Sequence, residues 1–231
     1  MSKADESSEE VVEGVYKHVW DAVVYINIKL EFWEQLCCTR ERVEELNKSA
    51  PDAMGLIQRV LLDDIILSLA RVFDNESTGR FCNMSILYLK SKIEEDVEYA
   101  GVVQRVNELL GEAPLPELRA HRKKVLAYAD VEHIATKSDT GMRHGMPREL
   151  LSAAQEILNT LGEYLGKGPT VWDMPSSRYW ADRLVRRLND GLTLSKERRW
   201  LSSKLLHDWA AGDPWAYPQL VELGGHKGLS V

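Results

Sequence analysis

Apolar residues recur at steps of three and four from Val12 through Val15, Val19, Val23, Ile26, Leu30 and Trp33 to Cys37. That spacing predicts one buried stripe on a long amphipathic helix, with Ser7 and Glu10 placed to form its capping box. Asn47 to Pro51 interrupts the pattern, and Pro51 suits the first position of a second helix running to about Asp74. Leu56, Ile57, Val60, Leu61, Leu62, Ile65, Ile66, Leu67 and Leu69 make that helix apolar nearly all round, as expected for the centre of a bundle. Asp63, Asp64 and Arg71 lie within it. The seven-residue step from Asp64 to Arg71 returns to the same face and predicts a shared carboxylate–guanidinium network across two turns.

Asn75 to Asn83 reads as a loop, and two shorter helical segments follow over 85–97 and 99–110. Gly111, Pro114 and Pro116 stop the pattern and open the stretch Leu118 to Asp130, a basic, helix-prone run. After a polar segment from Thr136 to Gly145, Pro147 starts a helix whose stripe is Leu150, Leu151, Ala154, Ile157, Leu158, Leu161 and Leu165. Gly166, Gly168 and Pro169 mark the expected boundary between a bundle over 1–166 and a helical C-terminal extension over 167–231. Two helices broken at Asn189-Asp190-Gly191 are expected there, with Trp180, Leu184, Val185 and Leu188 as the stripe that packs on the bundle. The predicted fold class is all-α, an up-and-down bundle of four or five core helices with a helical appendage.

Composition changes this picture little. At 231 residues, 44% hydrophobic and 28% charged, the chain is long and apolar enough to bury a core unaided. Its net charge of -7 argues against indiscriminate binding to polyanions. The segment from Arg178 to Lys204 departs from that balance, with 8 basic and 3 acidic residues. Cys37, Cys38 and Cys82 show no C-x-x-C spacing, which points to a reducing compartment and to no metal site. The acidic start lacks the features of a signal peptide, and no apolar run reaches the length of a spanning helix. A cytoplasmic location, no membrane association and no cofactor are therefore expected.

The chemistry on offer lies in Leu118 to Asp130. A cation beside a phosphate and a second polar group that moves a proton are the minimum for metal-free RNA cleavage. Arg122 supplies the first and Tyr128 the second, but six helical residues set them about 120° apart. A two-fold axis near this helix would bring both copies into one cleft, so a homodimer is expected.

These residues carry a resemblance. Arg122-Lys123-Lys124-Val125-Leu126-Ala127-Tyr128-Ala129-Asp130 is similar to the signature of the HEPN superfamily, an Arg followed after four to six residues by a His. The likeness extends to Trp33-Glu34, to Glu44-Glu45-Leu46-Asn47 with Ala50-Pro51, and to Leu69-Ala70-Arg71-Val72-Phe73-Asp74. Together these landmarks resemble the AbiU-like abortive-infection branch over about the first three quarters of the chain. HEPN domains are dimeric, metal-independent ribonucleases of toxin–antitoxin and phage-defence systems. The resemblance therefore implies an RNA-interacting protein of that kind, with a cognate antitoxin or defence partner. Within it, Arg122 would stabilise phosphate charge, Tyr128 would act as acid or base, and Asp130, Lys124, Asp64 and Arg71 would support them. Tyr128 stands where the family carries His, which implies a degenerate endoribonuclease. The alternative is a catalytically inactive helical dimer that binds a protein partner or nucleic acid through Arg183, Arg186, Arg187, Arg198 and Arg199.

Overall fold

The first apolar stripe folds as helix α1, Lys3–Cys37. Its inward positions Val15, Val19, Val23, Ile26, Leu30 and Trp33 are buried, as the spacing predicts. The computed structural model describes residues 3–37, 39–94, 97–123, 142–143, 145–173 and 179–211. α1 is already helical at Lys3, so Ser7 lies inside it and is no cap. Ala4 and Glu6 are good helix formers and carry the helix past that position.

The helix ends ten residues earlier than the polarity pattern suggests. Thr39 caps a separate α2, Arg40–Asn47, its hydroxyl accepting from the Arg42 N–H. A threonine oxygen that satisfies a free first-turn donor starts a helix better than it continues one. α3 then runs Pro51–Val72 with proline in its first turn. Only its second half is a core helix: Ile65, Ile66, Leu69, Ala70 and Val72 are buried, whereas Leu56, Ile57 and Val60 are exposed. α1 and α3 are joined at the Trp33 indole, which donates to the Gln58 carbonyl at 3.2 Å.

The Asn75 to Asn83 loop closes as a hairpin, Ser77–Thr78 (β1) against Phe81–Cys82 (β2), with Ser77 opposite Cys82. Gly79 takes φ +62° at its turn, a conformation that a side chain resists. Ser85 caps α4, Ile86–Ile93, and α5 follows as Ala100–Glu112. Leu115–His121 forms α6, and Met146–Tyr164 forms α7. The α7 stripe from Leu150 to Leu161 is buried throughout, and Leu165 is half-buried. Gly166, at φ +65°, closes α7 by letting the Lys167 and Gly166 N–H groups donate back to Gly162 and Glu163 carbonyls. One continuous core joins α1, α3, α4, α5, α6 and α7. Among the described residues there are eight α-helices and a single two-stranded ladder, the all-α class the pattern predicts.

The eighth helix, α8, spans Trp180–Ala210 without a break at Asn189-Asp190-Gly191. Asn189 is held from outside, its amide donating to Glu45 on α2, and Gly191 faces open space. Turn-forming residues thus continue a helix that tertiary contacts have already fixed. The packing stripe is Ala181 and Val185, with Leu184 and Leu188 beside them, against Leu36 and Leu46. Trp180 is exposed and does not belong to it. Arg42 pairs with Asp182 at 2.6 Å to complete the seam.

Candidate functional site

Leu115, Leu118 and Arg122 are spaced by three and four residues and share one side of α6. Leu115 and Leu118 are buried, so that side docks on the core and carries Arg122 to its edge. The backbone stays helical at Arg122, with φ -52° and ψ -49°. On the facing element, α3 ends at Val72, Phe73 inserts fully into the core, and Asp74 emerges beside it. Arg122 Nη1 donates to Asp74 Oδ1 at 2.5 Å.

The two side chains are 38% and 30% exposed, so the pair sits at a solvent edge and its charges are not sealed in the core. A guanidinium has five N–H groups in a rigid fork. Asp74 takes one through Nη1, and no other bond to Arg122 joins it among the described residues. Asp74 thus holds the guanidinium in place at a partly exposed edge, and a rigid fork of N–H groups is the geometry that suits an oxyanion in general.

The predicted supporting residues lie elsewhere. Asp64 bonds to Lys29 on α1 at 2.6 Å, and Lys29 also donates to Ser68 at 3.3 Å. Arg71 is exposed and makes no pair with Asp64 among the described residues. Seven residues advance about 10.5 Å along a helix, and the shorter reach of Lys29 from α1 wins. Asp64 and Arg71 are not brought to Arg122 among the described residues, and the carboxylate beside it is that of Asp74. The signal for it is its place at the end of the Leu69 to Asp74 landmark. Lys124, Tyr128 and Asp130 lie outside the described residues. Arg183, Arg186, Arg187, Arg198 and Arg199 are all on α8, apart from the packing of α6 on α3, and all five are exposed.

A second polar cluster escaped the sequence reading. Arg148 near the start of α7 grips Glu34 on α1 with two N–H groups, Nε to Oε1 at 3.1 Å and Nη2 to Oε2. Its Nη1 also donates to Asn27 Oδ1 at 3.3 Å. Asn27 is buried and donates through Nδ2 to the Trp172 carbonyl at 2.8 Å. This clamp ties α1 to α7 at the end of α7 that follows the Arg122 segment in sequence. Its signal is the seven-residue step from Asn27 to Glu34, which places both on one face of α1. Among the described residues, no group of three His, Cys, Asp or Glu side chains is placed to hold a metal. No described helix is long and apolar enough to cross a membrane.

The fold is an all-α bundle with an anchored arginine at the end of α6. A profile of the AbiU2 family matches residues 9–182 of the 231, well over half of the chain, and the chain belongs to that HEPN family. No curated protein and no solved structure matches it.

Proposed function

We propose that this chain is a HEPN-type RNA-interacting protein of a phage-defence or toxin–antitoxin system, in which Arg122 engages an RNA phosphate. The observation that carries this reading is the Asp74–Arg122 pair, which anchors a half-exposed guanidinium at the position of the family's arginine. Tyr128 takes the place of the family's proton carrier. An ordinary phenol titrates near 10 and an imidazole near 6.5, so the phenol is the poorer proton shuttle at neutral pH. The site is therefore a degenerate ribonuclease, one that retains phosphate contact and has lost most of its cleavage. A homodimer brings two such arginines to one cleft, and a cognate antitoxin or defence partner covers it in the cytoplasm.

The test compares the protein with its Arg122→Ala variant on total RNA in EDTA, which silences metal-dependent nucleases. RNA binding should weaken about tenfold in the variant, the worth of a charged hydrogen bond, and any slow cleavage by the parent should vanish. Equal binding and equal cleavage by the two proteins would refute the assignment of Arg122.

A further inference from the structure

The family match ends at Asp182, three residues into α8, and a basic stretch begins at the next residue. From Arg183 to Lys204 there are seven Lys and Arg residues against two acids, Asp190 and Glu197, in a chain of net charge -7. α8 meets the bundle through Ala181, Val185, Asp182 and Asn189, and no described residue beyond Val185 is buried in that helix. At 1.5 Å per residue, the part from Gly191 to Ala210 extends for about 30 Å.

Helical geometry sorts its side chains. With 100° per residue, Arg183, Arg187 and Arg198 fall within about 60° of one another, on the side opposite Val185. Lys204 flanks that row at about 60° from Arg183, and Trp200 lies at its edge, about 100° from Arg183, whereas Arg199 turns toward the side that carries Ala181 and Val185. None of these arginines pairs with a carboxylate among the described residues, in contrast to Arg40, Arg42, Arg105 and Arg148 in the matched region. Trp200 is 62% exposed, and the Lys204 ammonium lies 5.5 Å from its ring centroid. An exposed indole in contact with a lysine, at the edge of a row of unpaired cations, has the composition of a stacking platform on a charged track.

We infer that the outward face of α8, with Arg183, Arg187, Arg198, Lys204 and Trp200, is a binding surface for a single nucleic-acid strand. The arginines contact successive phosphates and Trp200 stacks on a base. Neither contact reads the sugar, so single-stranded RNA and single-stranded DNA bind this surface alike. Leu194 and Leu201 share the face, but the five arginines of α8 would repel their copies across a two-fold pairing of this helix. A polyanionic strand relieves that repulsion, and a second copy of the chain adds to it.

The test measures binding of fluorescent 20-nucleotide RNA and DNA strands to the full chain carrying Arg122→Ala, so that the site at Arg122 does not contribute and the two proposals fail separately. Further changing Arg183, Arg187 and Arg198 to Gln should weaken both strands at least about tenfold and reduce the salt slope by about 2, the value for three lost phosphate contacts. Trp200→Ala should cost about fivefold or more. These positions are exposed, and a helical spectrum and an unchanged unfolding midpoint confirm that the variants fold. The inference is overturned if neither change weakens binding, if RNA is held and DNA is not, if vesicles of anionic lipid bind more tightly than the strands, or if the changes alter only the oligomeric mass.

Discussion

Gly162 sits inside α7 where α1 crosses it, and a methyl group there has a calculable consequence. A Cβ at this position would lie 2.7 Å from the Tyr16 hydroxyl oxygen and 3.6 Å from the ring carbon that bears it. Tyr16 is buried, and its hydroxyl donates to the Leu158 carbonyl at 3.2 Å. Alanine in place of glycine within a helix is worth about 1 kcal/mol by itself. To admit the methyl group the phenol must move away, leaving a buried donor unsatisfied at a cost of about 1–3 kcal/mol. Gly162→Ala should therefore destabilise the protein by about 1 kcal/mol, a fall in Tm of roughly 2–4 °C. Removing the oxygen removes the clash, since the next atom stands at ordinary contact distance. In a Tyr16→Phe background the same Gly162→Ala change should then stabilise, by up to about 1 kcal/mol. Urea unfolding of the four proteins measures the cycle. Additive effects, or a stabilising Gly162→Ala in the parent, would show that Tyr16 does not lock α1 to α7 through this hydroxyl.

The same tyrosine sets a pH dependence. Burial raises its pKa above the ordinary 10.0, so below pH 10 both folded and unfolded chains hold the proton and its contribution is complete. As pH rises past the unfolded value the unfolded phenol ionises first, and stability is lost toward the raised folded value. The urea midpoint of the parent should fall more between about pH 9 and pH 11 than that of Tyr16→Phe, and parallel curves would contradict the burial argument. For the site itself, Asp74→Ala and Arg122→Ala should each cost about 1 kcal/mol, because solvent screens a pair exposed by about a third. The double variant should cost little more than either one, whereas a fully additive loss in thermal unfolding would mean that the two side chains do not act together.

The parts of the fold that show in the sequence are those whose signal repeats. The stripes of α1 and α7 each offer six or more apolar positions at helical spacing, and their burial follows. Single-residue events do not repeat and are harder to read. Thr39 looks like another polar residue of α1 until its hydroxyl meets the Arg42 N–H, and Asn189-Asp190-Gly191 looks like a turn until Glu45 holds Asn189 from α2. Leu56, Ile57 and Val60 carry the period of a core helix, yet periodicity does not say which stretch of a helix has a neighbour. At the site, Arg122 stands out by its basic run and family frame. Its anchor does not, because Asp74 is 48 residues away and only the packing of α6 on α3 brings the two together. The expected Asp64–Arg71 pair fails for the related reason that a shared helical face is not a shared distance.

The proposed function makes Arg122 the arginine of a HEPN site in which Tyr128 replaces the proton carrier. Its most direct test is Tyr128→His, assayed for cleavage of RNA in EDTA beside the parent and the Tyr128→His/Arg122→Ala double variant. A general acid or base is worth about 100-fold or more, so restoring an imidazole should raise metal-independent cleavage at least about tenfold, and the double variant should lose that gain. A well-folded Tyr128→His protein that cleaves no faster than the parent would contradict the account.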